Sequence, residues 1–151
     1  MPPILLSRPL DGPLPAPIWP PGVALAPAGQ FSPEQLHALL VAGYAQGGGT
    51  AGECASWWTA LVNDSEYDPE LVFVAVSGEE PIGLCQCWTS AFIKDLVVLP
   101  QWRGKGVGSA LVLTALAAFA ARGAAAVALK VEAGNSKAQA LYAQLGFQAP
   151  T

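Results

Sequence analysis

Apolar and polar positions follow different periods along the chain, and the first 21 residues follow none. Residues 1–21 hold Pro2, Pro3, Pro9, Pro13, Pro15, Pro17, Pro20 and Pro21. Proline lacks an amide donor and fixes φ, which predicts an extended arm or a disordered tail. A short strand is predicted near Val23 to Leu25. Ser32-Pro33-Glu34 then reads as N-cap, proline at the first helical position, and acid in the first turn. From there to about Tyr44, Leu36, Leu39, Leu40 and Gly43 recur on one helical face. Gly47-Gly48-Gly49 breaks the pattern, and a second helix is predicted around Trp57, Trp58, Leu61 and Val62.

The second half is dominated by strands. Leu71–Val76 and Pro81–Trp88 flank the turn Ser77-Gly78-Glu79-Glu80, a hairpin signature. Residues 92–99 form a third strand, 107–122 a helix, 125–132 a strand and 136–145 a last helix. Gly146 falls at the position that ends a helix, with Phe147 placed to touch Leu141 or Tyr142. No internal repeat is present. The pattern predicts an α/β (α+β) fold, with one mixed, mostly antiparallel sheet and helices on its faces. Residues 22–151 read as a single domain behind the 1–21 arm, in keeping with 151 residues.

Composition narrows the function. Hydrophobic residues make up 52% and charged residues 12%. Such a chain is the opposite of a disordered one. A net charge of −4 and pI of about 4.8 argue against nucleic acid as partner. The longest apolar stretch, Ala110 to Ala121, falls short of the roughly 20 residues that span a bilayer. No membrane partner and a cytoplasmic location are the expectation. Cys54, Cys85 and Cys87 read as reduced thiols, with Cys85 and Cys87 on one strand face and too few His or Cys neighbours for a metal. Charge is uneven: residues 1–80 hold one arginine against nine acids, and residues 81–151 six basic against two acidic residues.

The chemistry concentrates in Arg103-Gly104-Lys105-Gly106-Val107-Gly108-Ser109, between a strand and a helix. Glycines let backbone approach an anion closely, and the free N–H groups of a helix start point at it. Arg103 and Lys105 add charge. Lys105 is not followed by Ser or Thr, so the run is not a P-loop. Ser109 stands where a dinucleotide fingerprint needs its third glycine.

Arg103-x-x-Gly106-x-Gly108, after Leu96-Val97-Val98-Leu99-Pro100, resembles the acetyl-CoA loop of the GCN5-related N-acetyltransferases. Asn135-x-x-Ala138-x-x-x-Tyr142-x-x-x-Gly146-Phe147 is similar to that family's last helix. The resemblance spans residues 70–147. It implies direct acetyl transfer from acetyl-CoA to an amine acceptor, with acetyl-CoA held between a splayed pair of strands, here 92–99 and 125–132. By the match, Leu96, Val97 and Val98 flank the pantetheine arm, and the backbone of Leu96 and Val98 hydrogen-bonds it and the thioester carbonyl. Residues Arg103, Gly104, Lys105, Gly106, Val107, Gly108 and Ser109 cradle the pyrophosphate. Asn135 contacts the arm, and Tyr142 both binds it and protonates the leaving thiolate. The other reading is a non-catalytic CoA-binding regulatory or partner module.

No general base is assigned. Asp95, Glu79, Glu80, Glu132 and His37 are the candidates, alongside a chain of waters. Tyr44, Trp57, Trp58 and Tyr67, beside Glu53, Asp64, Glu66, Asp68 and Glu70, suggest an acceptor site for a small cationic amine or a lysine-bearing peptide. The chain runs four residues past Phe147, whereas the family adds a further strand. That strand is expected from a homodimer partner or from the proline-rich arm, unless the acceptor site is more open.

Overall fold

The computed structural model describes residues 2–45 and 51–150; the Gly47-Gly48-Gly49 break lies outside them. Strand β1 is Ile4–Pro9 and β2 Val23–Pro27, followed by helices α1 (Pro33–Tyr44) and α2 (Cys54–Asn63). Then come β3 (Tyr67–Ser77), β4 (Glu80–Trp88), β5 (Phe92–Val98), α3 (Val107–Ala121), β6 (Ala126–Val131) and α4 (Ser136–Gln144). One six-stranded sheet has the order β1-β6-β5-β4-β3-β2. Every neighbouring pair is antiparallel except β5 and β6.

The arm is not simply extended or disordered: Ile4–Pro9 is the strand beside β6. Its six residues lie in register with β6, from Ile4 opposite Val131 to Pro9 opposite Ala126. Between Pro3 and Pro9 the run has no proline, so every residue keeps its donor. Arg8 secures the strand through Nε to the Leu145 carbonyl at 3.2 Å. On β1's other edge Ser7 and Gln148 exchange two backbone hydrogen bonds of 2.9 Å. The place next to β6 is therefore filled from within this chain.

The sheet separates two apolar layers. On one face Val107, Leu111, Val112, Ala115, Leu116 and Phe119 of α3 pack with Leu6, Val127, Leu129, Tyr142 and Phe147. On the other, Leu36, Leu39 and Leu40 of α1 cover Val72, Val74, Val76, Leu84 and Val97. Ser32 and Gln35 close a reciprocal capping box at the start of α1.

Near its end α1 approaches β5 so closely that only glycine fits. A Cβ at Gly43 would lie 2.4 Å from Val97 Cβ. Gly43→Ala is expected to destabilise the fold by about 1–3 kcal/mol, because overpacking outweighs the gain in helix propensity. Denaturant titration of the variant against the parent checks this, and an unchanged midpoint would contradict it.

Candidate functional site

Strand β5 leaves β6 after two residue pairs, Phe92 with Ala128 and Ile93 with Leu129. Two features permit the parting. Lys94 is an extra residue between the pairs Gln86–Asp95 and Cys87–Ile93, and a bulge there bends and twists the strand. Meanwhile β6 keeps its ladder through β1. A slot results between β5 and β6.

Backbone phase decides what lines the slot. Leu99 N donates to Ile82 O at 2.9 Å, so the hydrogen-bonded pairs with β4 continue at Val97–Leu84. Alternation then turns the N–H and C=O of Leu96 and Val98 away from β4, toward the parted edge. These are the two residues the motif singled out. Val97 differs: its backbone serves β4 and its side chain is buried beneath Gly43, so it supports the slot from behind.

At the end of β5 the glycine run turns into α3. Gly104 and Gly106 have φ of +76° and +93°, and apart from their chain neighbours no atom of the described residues lies within 4 Å of where their Cβ atoms would be. Gly106 is the N-cap and offers no side chain. The first helical bond runs from Ala110 N to Gly106 O, so the N–H groups of Val107, Gly108 and Ser109 precede the ladder. The positive end of the helix dipole and exposed Lys105 lie beside them, the electrostatics that favour an anion. A methyl at Gly108 would make ordinary contact with Leu141 and Val98, at 3.7 and 3.8 Å, so α4 closes against the loop there. Arg103 is tied to protein carbonyls, Val98 O at 3.2 Å through Nε and Gly43 O at 3.0 Å. It fixes the end of β5 to the end of α1.

Asn135 is the N-cap of α4, accepting from Ala138 N at 3.1 Å. Two turns on, Tyr142 is 8% exposed and meets Phe147 edge-on, with centroids 5.7 Å apart. Gly146, at φ +94°, and the bond from Phe147 N to Tyr142 O make this contact possible. Burial, with a lesser contribution from Cys85, pushes the phenol well above its ordinary value, so it stays protonated at neutral pH.

Asp95 is buried on the α1 side of β5, at 9% exposure. Tyr44 donates to Oδ1 at 2.5 Å and Lys94 pairs with Oδ2 at 3.0 Å. Desolvation, then the neighbouring carboxylate, raises the Tyr44 phenol strongly, so it remains a donor. Sequence reasoning missed this pairing, since Tyr44 and Asp95 are 51 residues apart. The remaining base candidates stand elsewhere. His37 Nε2 lies 2.8 Å from Gly52 O, while Glu79 and Glu80 sit exposed at the hairpin turn. Glu132 follows β6 and offers its carbonyl to Gln139 at 3.0 Å.

The acidic cluster is largely committed locally. Glu53 caps α2, Asp64 accepts from Glu66 N, Glu66 accepts from Ser90 N, and Arg122 pairs with Asp68 at 2.8 Å and Glu70 at 3.5 Å. These carboxylates shape turns and anchor β3; they do not converge on the tryptophans as expected. Cys85 and Cys87 are buried on one face with sulfurs 3.7 Å apart, and the sulfur contact with Cys87, then burial, keeps the Cys85 thiol protonated. Among the described residues no group of three potential ligands could hold a metal, and no helix is long and apolar enough to cross a membrane.

A parted strand pair ending in a glycine loop is what the resemblance to the GCN5-related N-acetyltransferases implied. A solved GCN5-related N-acetyltransferase from Sphaerobacter thermophilus superposes with a TM-score of 0.81 at 25% identity, over 98% of this chain and 48% of that one. The chain belongs to the acetyltransferase (GNAT) family, whose sequence profile matches residues 39–147. A mycothiol acetyltransferase of Thermobispora bispora is 32% identical, over 94% of this chain and 52% of the relative. An N-alpha-acetyltransferase MAK3 of Arabidopsis thaliana is 35% identical, over 52% of this chain and 45% of the relative. The chain thus spans about half the length of these curated relatives.

Proposed function

We propose that this chain binds acetyl-CoA in the β5–β6 slot and transfers the acetyl group directly to a primary amine. The carrying observation is the outward-turned backbone of Leu96 and Val98 along an edge that β6 has left. Donors fixed before the reaction can stabilise charge on the thioester carbonyl oxygen without reorganising. Acetyl-CoA supplies the activated acyl group. The chain supplies a backbone edge for the pantetheine arm, the Gly104–Ser109 cradle for the pyrophosphate, and the Tyr142 phenol as donor to the departing sulfur. Arg103 and Asn135 act here by holding the loop and α4 in place. The relatives named as N-alpha-acetyltransferase and mycothiol acetyltransferase support acetyl transfer as the reaction class.

The test is calorimetry with acetyl-CoA, followed by an amine panel read by thiol release. We expect saturable binding and amine-dependent release of CoA. Binding with no release for any amine would favour the CoA-binding module instead, and absence of binding would refute both.

A further inference from the structure

A cavity of about 280 Å³ lies between α2, the start of β3 and β4, on the α1 side of the sheet. Phe31, Trp57, Trp58, Tyr67, Leu84 and Gln86 are among its walls, and the lining contains no Asp, Glu, Lys or Arg among the described residues. The space has a structural cause. In β3 the pairs Tyr67–Trp88 and Val72–Gln86 leave four residues, 68–71, opposite Cys87 alone. Pro69 cannot donate to a ladder there. Asp68 accepts from Glu70 N at 2.9 Å, and Arg122 grips both acids, so the bulge is held in shape. Opposite it, Trp57 sits between His37 and Trp58, at centroid distances of 5.6 and 5.7 Å.

Two walls of this cavity carry an unmet polar atom. Among the described residues, Trp57 Nε1 and Gln86 Oε1 are buried without a hydrogen-bond partner. Gln86 is only 2% exposed, and its amide nitrogen is already used on Cys87 O at 3.0 Å. Buried polar groups are nearly always paired, so an orphaned donor and an orphaned acceptor bordering one cavity call for an explanation. The cavity also adjoins the proposed reaction centre. Gln86 is the cross-strand partner of Asp95, which precedes Leu96, and neighbouring strands lie about 4.8 Å apart.

We propose that this cavity receives the body of the amine acceptor: an uncharged, mainly apolar group bearing one neutral function, hydroxyl or carboxamide, that both accepts and donates. This rests on the acetyl-transfer reading above. Such a function would take the Trp57 N–H and give a hydrogen to Gln86 Oε1. The aromatic walls would also attract an ammonium, but an ammonium only donates and leaves the indole unmet. A carboxylate leaves Gln86 unmet and loses its hydration in an uncharged wall. A cavity of about 150 Å³ binds benzene, so the larger space here is on the scale of an arylalkylamine.

The probes are tyramine, phenethylamine, which lacks only the hydroxyl, and putrescine, which is dicationic. Each is assayed with acetyl-CoA by thiol release and titrated calorimetrically into CoA-loaded protein. We expect kcat/KM for tyramine to exceed that for phenethylamine by roughly 10- to 100-fold, with putrescine poorest, since a site that hydrogen-bonds a hydroxyl discriminates against the analogue without it. Trp57→Phe keeps a ring and removes the donor; it should bring tyramine down toward phenethylamine. Equal values for tyramine and phenethylamine in the parent, putrescine as the best acceptor, or a ratio unmoved by Trp57→Phe would each overturn the proposal. Failure of acetyl-CoA to bind would instead overturn the transfer reading. The cavity is then judged by the calorimetric affinities of tyramine and phenethylamine for the protein alone, where equality refutes it.

Discussion

Tyr142→Phe is expected to bind acetyl-CoA as the parent does and to turn over about 10²-fold more slowly. The substitution keeps the ring, its edge contact with Phe147 and its place in the core. Only the O–H is lost. Acid–base help from one side chain contributes roughly 10²–10⁴-fold. The low end applies here because burial raises the phenol above its ordinary value, making it a weak acid. For the same reason the phenol does not titrate near neutrality, so the pH profile of the variant should keep its shape there while its height falls. Steady-state kinetics with the best amine found, beside calorimetry with acetyl-CoA, reads both quantities. An unchanged kcat would remove Tyr142 from the chemistry. A lost acetyl-CoA affinity would make it a binding residue.

Gly106→Asn is expected to weaken CoA and dephospho-CoA at least tenfold, and by equal factors. Gly106 holds φ at +93°, a region that asparagine tolerates better than other side chains. The loop should therefore keep its form while a side chain enters the space in front of the α3 N-terminus. Dephospho-CoA lacks the 3′-phosphate but keeps the pyrophosphate, so equal losses place the pyrophosphate at this loop. Gly78, at φ +63° in the β3–β4 turn, serves as the control. Gly78→Asn imposes similar backbone strain far from the loop and should leave both affinities alone. Unaltered CoA affinity in folded Gly106→Asn would refute the cradle, and a loss confined to CoA would move the loop to the 3′-phosphate.

Much of the slot was legible because it is built from short-range patterns. The α1 cap, the β3–β4 turn, the glycine run and the Gly146 helix end each depend on residues a few positions apart, and each stands where the pattern put it. Leu96 and Val98 were legible for a different reason. A family motif marked them, and strand alternation then turned their backbone to the parted edge. Gln86 gave a faint signal as the lone amide in an apolar strand, but nothing local told of its unmet oxygen.

The sequence by itself determined the elements from β2 onward, the chain's two apolar layers and the glycine turn into α3, because helix and strand periods, caps and glycine φ are local properties. Tertiary structure alone decided three things. It placed Ile4–Pro9 beside β6, which is a choice among edges that a proline-flanked run cannot announce. It joined Tyr44 to Asp95 through the Lys94 bulge, since one extra residue reverses which face a side chain takes. It drew the acids of β3 onto Arg122 and left a cavity beside Trp57 and Gln86. Pairings between distant residues, and the space left when packing is incomplete, depend on the whole chain at once and are written in no segment of it.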